Sequence, residues 1–164
     1  MSNISKIEIR GAKIKSRNFE GREKRNPKNG KVVNSEGNRN FLLVIPEEMV
    51  EDLIKDGWRI GQFRDDEVTG EPGDHYLPVK VGFAYKPPVI WLVTRKGETK
   101  SRTKMDEETV GELDYAIFSD VKLVVRPVVR TDEYTHETSV TAYLETMYVE
   151  IENTDPFADD EEWD

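Results

Sequence analysis

The apolar residues near the end of the chain recur at every second position, and that period leaves little choice of fold. Residues 138–151, TSVTAYLETMYVEI, put Val140, Ala142 and Leu144 in one phase and, after a slip of one residue, Met147, Val149 and Ile151 in the next. Side chains on a strand alternate between its two faces, so this is a long half-buried strand with a β-bulge at the slip. Residues 6–15 repeat the pattern as Ile7 and Ile9, then Ala12 and Ile14, with Gly11 at the slip. Residues 76–85 set Val79, Val81, Phe83 and Tyr85 against Lys80 and stop before Pro87-Pro88, because proline cannot donate to a ladder. The runs 41–45 and 89–94 read as short buried strands, and 117–125 as another, separated by Pro127 from a short Val128-Val129 extension.

Helical signals are few. Pro46 suits a first turn, Glu47 and Glu48 complement the helix dipole, Met49, Val50, Leu53 and Ile54 share a face, and Gly57 caps the end, which predicts a helix over 47–56 across an open end of a sheet. Asp106 can cap a weaker helix through Val110 to Leu113 by accepting a backbone N–H near Thr109. Strands rich in β-branched and aromatic residues, bulge-like slips and long loops predict a mainly β domain over 1–151. Its expected form is an OB-fold-like, partly open five-stranded barrel with one or two short helices.

Between the first two predicted strands lies RNFEGREKRNPKNGKVVNSEGNRNF, residues 17–41, where only Phe19, Val32 and Val33 are available to bury between 18 and 40. Cations that neutralise phosphates, rings and guanidinium planes that stack on bases, and Asn/Gly breakers that admit a close approach together make a nucleic-acid surface. The candidate phosphate ligands are Arg17, Arg22, Lys24, Arg25 and Arg39. Residues 95–104, RKGETKSRTK, read as a second basic loop that adds Lys96, Lys100, Arg102 and Lys104. Phe19, with no apolar neighbours, is the first stacking candidate, followed by Trp58, Tyr85, Trp91 and Phe63, while Phe41 opens an apolar run and reads as core. The plainer alternatives are a solvated basic loop and, for Trp91, a place in the core.

A net charge of −9 argues against a nucleic-acid partner until its distribution is read. Residues 1–45 hold 11 Lys/Arg against 4 Asp/Glu, whereas 150–164 hold 8 Asp/Glu and no cation. Without that segment the body is close to neutral, with a basic first part. The end, EIENTDPFADDEEWD, cannot bury enough apolar surface to order itself, so 152–164 is expected to be a disordered acidic tail. Phe157 and Trp163, set among Asp159, Asp160, Glu161 and Glu162, read either as a partner-docking motif or as part of a solubilising segment.

No catalytic residue, metal site or cofactor is expected. Walker, Gly-x-Ser-x-Gly and Rossmann fingerprints are missing, and His75 and His136 lack metal-ligand spacing. The absence of cysteine suits a reducing cytoplasm, and the opening residues contain no apolar run of the kind that exports a chain or anchors it in a membrane. Three rivals to a DNA binder stay open: an acidic DNA mimic, a metal-dependent nuclease or recombination enzyme, and an RNA-binding module.

With the basic-aromatic stretch 17–41, the DEETVGELD segment 106–114 and the tail DPFADDEEWD 155–164 in view, the chain resembles the single-stranded DNA-binding proteins of tailed bacteriophages. The resemblance implies a non-enzymatic OB-fold binder, active in the cytoplasm of an infected bacterium, that coats strands during replication, recombination and repair. It further implies an acidic tail that recruits replication or recombination proteins, and a matched motif made of Arg17, Asn18, Phe19, Gly21, Arg39 and Asn40. Two departures stand out: the tail ends in Trp163-Asp164 rather than phenylalanine, and 95–104 is more basic than the motif needs. A homodimer is compatible with the sequence, which leaves oligomeric state open.

Overall fold

The computed structural model describes residues 4–84, 86–96 and 98–151, so Tyr85, Gly97 and the acidic segment 152–164 lie outside the described residues. From the N-terminus the strands are β1 (Ile7–Arg10), β2 (Ile14–Asn18), the small pair β3 (Lys24–Arg25) and β4 (Val32–Asn34), and β5 (Asn40–Ile45). Helix α1 (Glu47–Asp56) and β6 (Gly61–Gln62) lead to β7 (His75–Lys80), β8 (Val89–Lys96) and β9 (Thr99–Met105). A 3₁₀ turn at Val110–Asp114 precedes the two longest strands, β10 (Phe118–Thr131) and β11 (Thr138–Ile151).

β10 and β11 pair antiparallel over their whole length. Val124 faces Thr146 but Val125 faces Leu144, so Glu145 is the extra residue and marks the predicted slip. β1 lines the outer edge of β10. The other edge of β11 is shared between two strands, both parallel to it: β7 pairs at Ala142 and Tyr143, and β8 from Thr146 to Glu150. β7 continues to β5 and β2, while β8 forms a hairpin with β9. The path β1-β10-β11-β7-β5-β2 is open, and β1 and β2, consecutive in the chain, are its two ends. This sheet has nine strands where five were expected. β6 and the β8–β9 hairpin are additions, and the bent first strand counts as two.

One face of the sheet builds the core. Phe41, Leu43, Leu77, Val79, Ile90, Val125 and Met147 are fully buried there, each on the apolar phase of its strand. Val50 and Leu53 bring α1 into the same cluster, whereas Ile54, predicted on that face, is exposed. The α1 C-cap is Gly57, in the left-handed conformation, as predicted.

The strand read over 76–85 ends at Lys80, and three further local readings need correction. The expected basic loop 95–104 is mostly β9: Thr99, Ser101 and Thr103 alternate with Lys100, Arg102 and Lys104, a period of two written in polar residues, as on an edge strand that lysine protects from further pairing. Pro127 does not interrupt β10, which runs through it opposite Ala142. There β10 has passed the end of β1 and become an edge strand, where proline is tolerated.

The third correction concerns residues 17–22, which form a structural knot and not an open loop. Asp114, its side chain 1% exposed, accepts the backbone N–H groups of Phe19 (2.7 Å) and Glu20 (3.1 Å). Asn18, also buried, accepts from the N–H groups of Gly21 and Arg22 and donates to the Arg22 carbonyl. A Cβ on Gly21 would lie 3.0 Å from the Gly37 backbone, and the φ of +77° there favours glycine independently. Phe19 is fully buried, its ring 5.4 Å from that of Phe41. Its polar neighbours hide a core residue from any periodicity test.

Asp66, Asp106 and Asp132 each open an Asp-Glu-x-Thr turn and accept the N–H groups two and three residues on. These bonds hold all three carboxyls below the usual value of 3.8; the backbone of Thr69 and of Thr135 leads for Asp66 and Asp132, and the Thr109 hydroxyl for Asp106. The stabilisation is present above the unfolded value and is lost as the pH falls through the lowered folded values. Acid unfolding should therefore have a shallower pH dependence in the Asp66→Asn/Asp106→Asn/Asp132→Asn protein. For Phe19→Ala, denaturant melts should show a loss of about 3–5 kcal/mol. A loss below about 1 kcal/mol would contradict its place in the core.

Candidate nucleic-acid interface

The face of the sheet opposite the core carries the other phase of each strand, and registered neighbours on adjacent strands share that face. Asn40 on β5 is opposite Lys80 on β7, Lys80 opposite Tyr143 on β11, and Tyr143 opposite Arg126 on β10, where the guanidinium lies 5.0 Å from the Tyr143 ring centroid. Nearer the β2 edge Lys15 is opposite Leu42, and Leu42 opposite Pro78. On the same phase of β7, Tyr76 stacks on Phe63 at 4.5 Å, and the Lys15 ammonium caps the Phe63 ring at 4.8 Å. Gly61 makes this possible: a Cβ there would come within 2.4 Å of the Tyr76 ring. The result is a first face of three aromatic rings and three cations.

The β3–β4 hairpin stands at the end of this face. Asn40 donates to the Asn34 side chain (2.8 Å) and the Asn38 carbonyl (3.1 Å), tying the hairpin root to the row that contains Lys80. Lys24, Arg25, Lys28 and Lys31 project from it, all exposed, with Arg25 paired to Glu23 at 2.5 Å.

A second face lies further along β10 and β11. Arg10, Lys122, Tyr148, Trp91 and Lys104 form an unbroken row across β1, β10, β11, β8 and β9. Arg102 sits 4.9 Å above the Trp91 ring. A groove of about 510 Å³ runs beside this row, lined among others by Arg10, Lys100, Arg102, Lys122, Tyr148 and Glu150. Glu150 receives Arg95 at 3.2 Å and lies 3.7 Å from Lys100.

Between the two faces the chain leaves the sheet after Lys80 and rejoins it at Val89, while β11 advances only from Tyr143 to Thr146. Gly82, at the start of this excursion, approaches the Tyr143 ring. The intervening row, Glu8, Val124, Thr146 and Val89, holds no cation and no ring.

The predicted site residues therefore separate into groups. Lys100, Arg102, Lys104 and Trp91 belong to the second face. Lys96 ends β8 opposite Thr99. Lys24 and Arg25 are on the hairpin, with Asn40 at its root. Others have structural work. Arg17 is half-buried, donating to the carbonyls of Leu113 (2.9 Å) and Ala116 (2.6 Å) above the Phe118 ring. Arg22 lies 3.7 Å from the carboxylates of Glu20 and Asp114. The Arg39 side chain, 17% exposed, is held between Glu107 and the Phe83 ring. Phe19 and Trp58 are core residues and present no ring to a base, which corrects both stacking assignments. Trp58 bridges to Val140 and is 3% exposed. Tyr85 and the tail residues Phe157, Asp159, Asp160, Glu161, Glu162 and Trp163 lie outside the described residues.

Sequence reasoning missed Lys15, Tyr76, Lys80, Arg10, Lys122, Arg126, Tyr143 and Tyr148. Their signal was present: each falls out of phase with the apolar residues of its own strand, and only the strand register shows that they align.

A search of curated proteins finds no match. Among solved structures, the fold is similar to the single-stranded DNA-binding protein from bacteriophage Enc34 in complex with ssDNA, with a TM-score of 0.52 and 11% identity over 90% of this chain and 87% of that one. A C-terminal truncation of that protein is similar with a TM-score of 0.51 and 12% identity, over 90% of this chain and 86% of that one. Residues 1–159 match the profile of the family described as "Putative phage ssDNA-binding domain", and the chain belongs to that family.

Proposed function

We propose that this protein binds single-stranded DNA without sequence preference along the first face, from Lys15 to Arg126, with the β3–β4 hairpin closing over one end of the strand. The row of Lys80, Tyr143 and Arg126 carries this reading, because it alternates phosphate-neutralising and base-stacking groups at strand spacing. Stacking on a ring accepts any base, which gives affinity without readout of sequence.

The strand order supports an OB-like assignment. With β1 and β2 taken as one strand bent at Gly11, the path visits β5, β7, β11 and β10 before returning to that strand, and β7 and β11 are a parallel pair. The corner is tied by Ala12 N–H to the Val121 carbonyl (2.8 Å) and Val44 N–H to the Lys13 carbonyl (2.9 Å). In such folds oligonucleotides bind the face of the second and third strands and the loop joining the first two. Those correspond to the β5–β7 face and the connection that contains the β3–β4 hairpin.

Coating of strands exposed in phage replication, recombination and repair, in the host cytoplasm and without catalysis, is the role this binding fits. The acidic segment 152–164 would recruit replication or recombination proteins through Phe157 and Trp163 and compete with DNA for the basic hairpin.

Three measurements test this. In fluorescence-anisotropy titrations with labelled oligothymidylate, Lys15→Ala/Lys80→Ala should reduce the log–log salt slope by about 0.7 per lost phosphate contact. Tyr143→Ala should weaken binding by about 1–3 kcal/mol at fixed salt. Unchanged slope and affinity in both would place DNA on another surface. Deleting 152–164 should tighten binding at low salt and have little effect at high salt, where screening removes the competition.

A further inference from the structure

We propose that the groove face, with Arg10, Lys122, Tyr148, Trp91, Lys104 and Arg102, is a second site for single-stranded nucleic acid, and that one chain holds two strands at once and speeds the annealing of complementary ones. This inference rests on the reading that the first face binds single-stranded DNA.

The second face has the same chemistry as the first and is set apart from it. Its row alternates as cation, cation, ring, ring, cation across five strands, with Arg102 at 4.9 Å over the Trp91 ring. Lys104, Lys122, Arg102 and Arg10 are exposed, and none of the four has a carboxylate partner within 4.0 Å among the described residues except Arg10, 3.7 Å from Glu8. These are cations available to an incoming polyanion. Tyr148 and Trp91, on adjacent strands at the same level, form a platform for bases.

Separation from the first face has three causes. Arg126 and Lys122 are four positions apart on β10, roughly 13 Å at strand rise. The row between them carries Glu8 and neither cation nor ring. The edge partner of β11 also changes between the two rows, from β7 at Tyr143 to β8 from Thr146 on, so each row is completed by a different strand. Two short strands can be held on either side of this divide. Strands bound to one chain meet at an effective concentration in the millimolar range, and the two rows of cations reduce the repulsion between their backbones.

Native mass spectrometry with oligothymidylates of about eight nucleotides, within the span of one small-barrel site, counts strands per chain directly. The wild-type protein should carry two. Lys104→Glu/Lys122→Glu, confined to exposed side chains of the second face, should carry one, as should Lys15→Glu/Lys80→Glu on the first. In a stopped-flow assay with a fluorophore and a quencher on complementary oligonucleotides, wild type should accelerate annealing and both variants should fall to the protein-free rate. A single strand per wild-type chain, or annealing retained in the Lys104→Glu/Lys122→Glu protein, would overturn the two-strand proposal. Loss of all binding in either variant would replace it with one continuous site. No binding by folded wild type would instead sink the underlying DNA-binding reading.

Discussion

Every part of the described structure depends on β11 being paired along both edges. β10 occupies one edge throughout; β7 and then β8 occupy the other. Its inward residues Val140, Ala142, Leu144, Met147 and Val149 are all at most 1% exposed, so the strand is fixed by ladder bonds on two sides and by packing on a third. A slip of one residue in this strand would turn the whole apolar set to solvent. The single tolerated slip, at Glu145, falls where β11 exchanges β7 for β8 as its partner. The same event that re-phases the core thus divides the outer surface into two aromatic-cationic faces.

A second constraint operates at the root of the basic hairpin. The Asp114 carboxylate is buried, and a buried carboxylate is costly unless its lone pairs are filled. Here the N–H groups of Phe19 and Glu20 fill them, with Arg22 close by. Arg17 spends its guanidinium on the carbonyls that follow the same 3₁₀ turn. The cations nearest the knot hold the fold together. Those farther out on the hairpin, Lys24, Lys28 and Lys31, are exposed and have no carboxylate partner among the described residues.

This division explains what the sequence could and could not reveal. The last strand, Thr138–Ile151, was legible to the residue, as was helix α1 with its glycine cap, whereas the alternation read over 76–85 stops being a strand at Lys80. β9 was not, because its alternation is between threonine or serine and cations, and hydropathy does not register it. Phe19 was misread for the opposite reason: a core residue flanked by Asn18, Glu20 and Gly21 owes its burial to contacts about 95 positions away, with Asp114. The candidate interface was half legible. Residue types pointed to nucleic acid and the resemblance to phage proteins was sound, but the aligned partners Lys80, Tyr143 and Arg126 come from three strands that are distant in sequence. Only register brings them together.

The pairing of rings with cations has a consequence for the free protein. Trp91 lies beneath Arg102, Tyr143 beneath Arg126 and Phe63 beneath Lys15, so three of the rings on the two faces have a charged lid. Bare aromatic platforms on a sheet with open edges invite copies of the chain to stick to one another. The lids keep those platforms wetted until a polyanion arrives. On the proposed reading, phosphates that draw a guanidinium aside would uncover the ring for the neighbouring base, and exposure of adhesive surface would be coupled to the ligand that covers it.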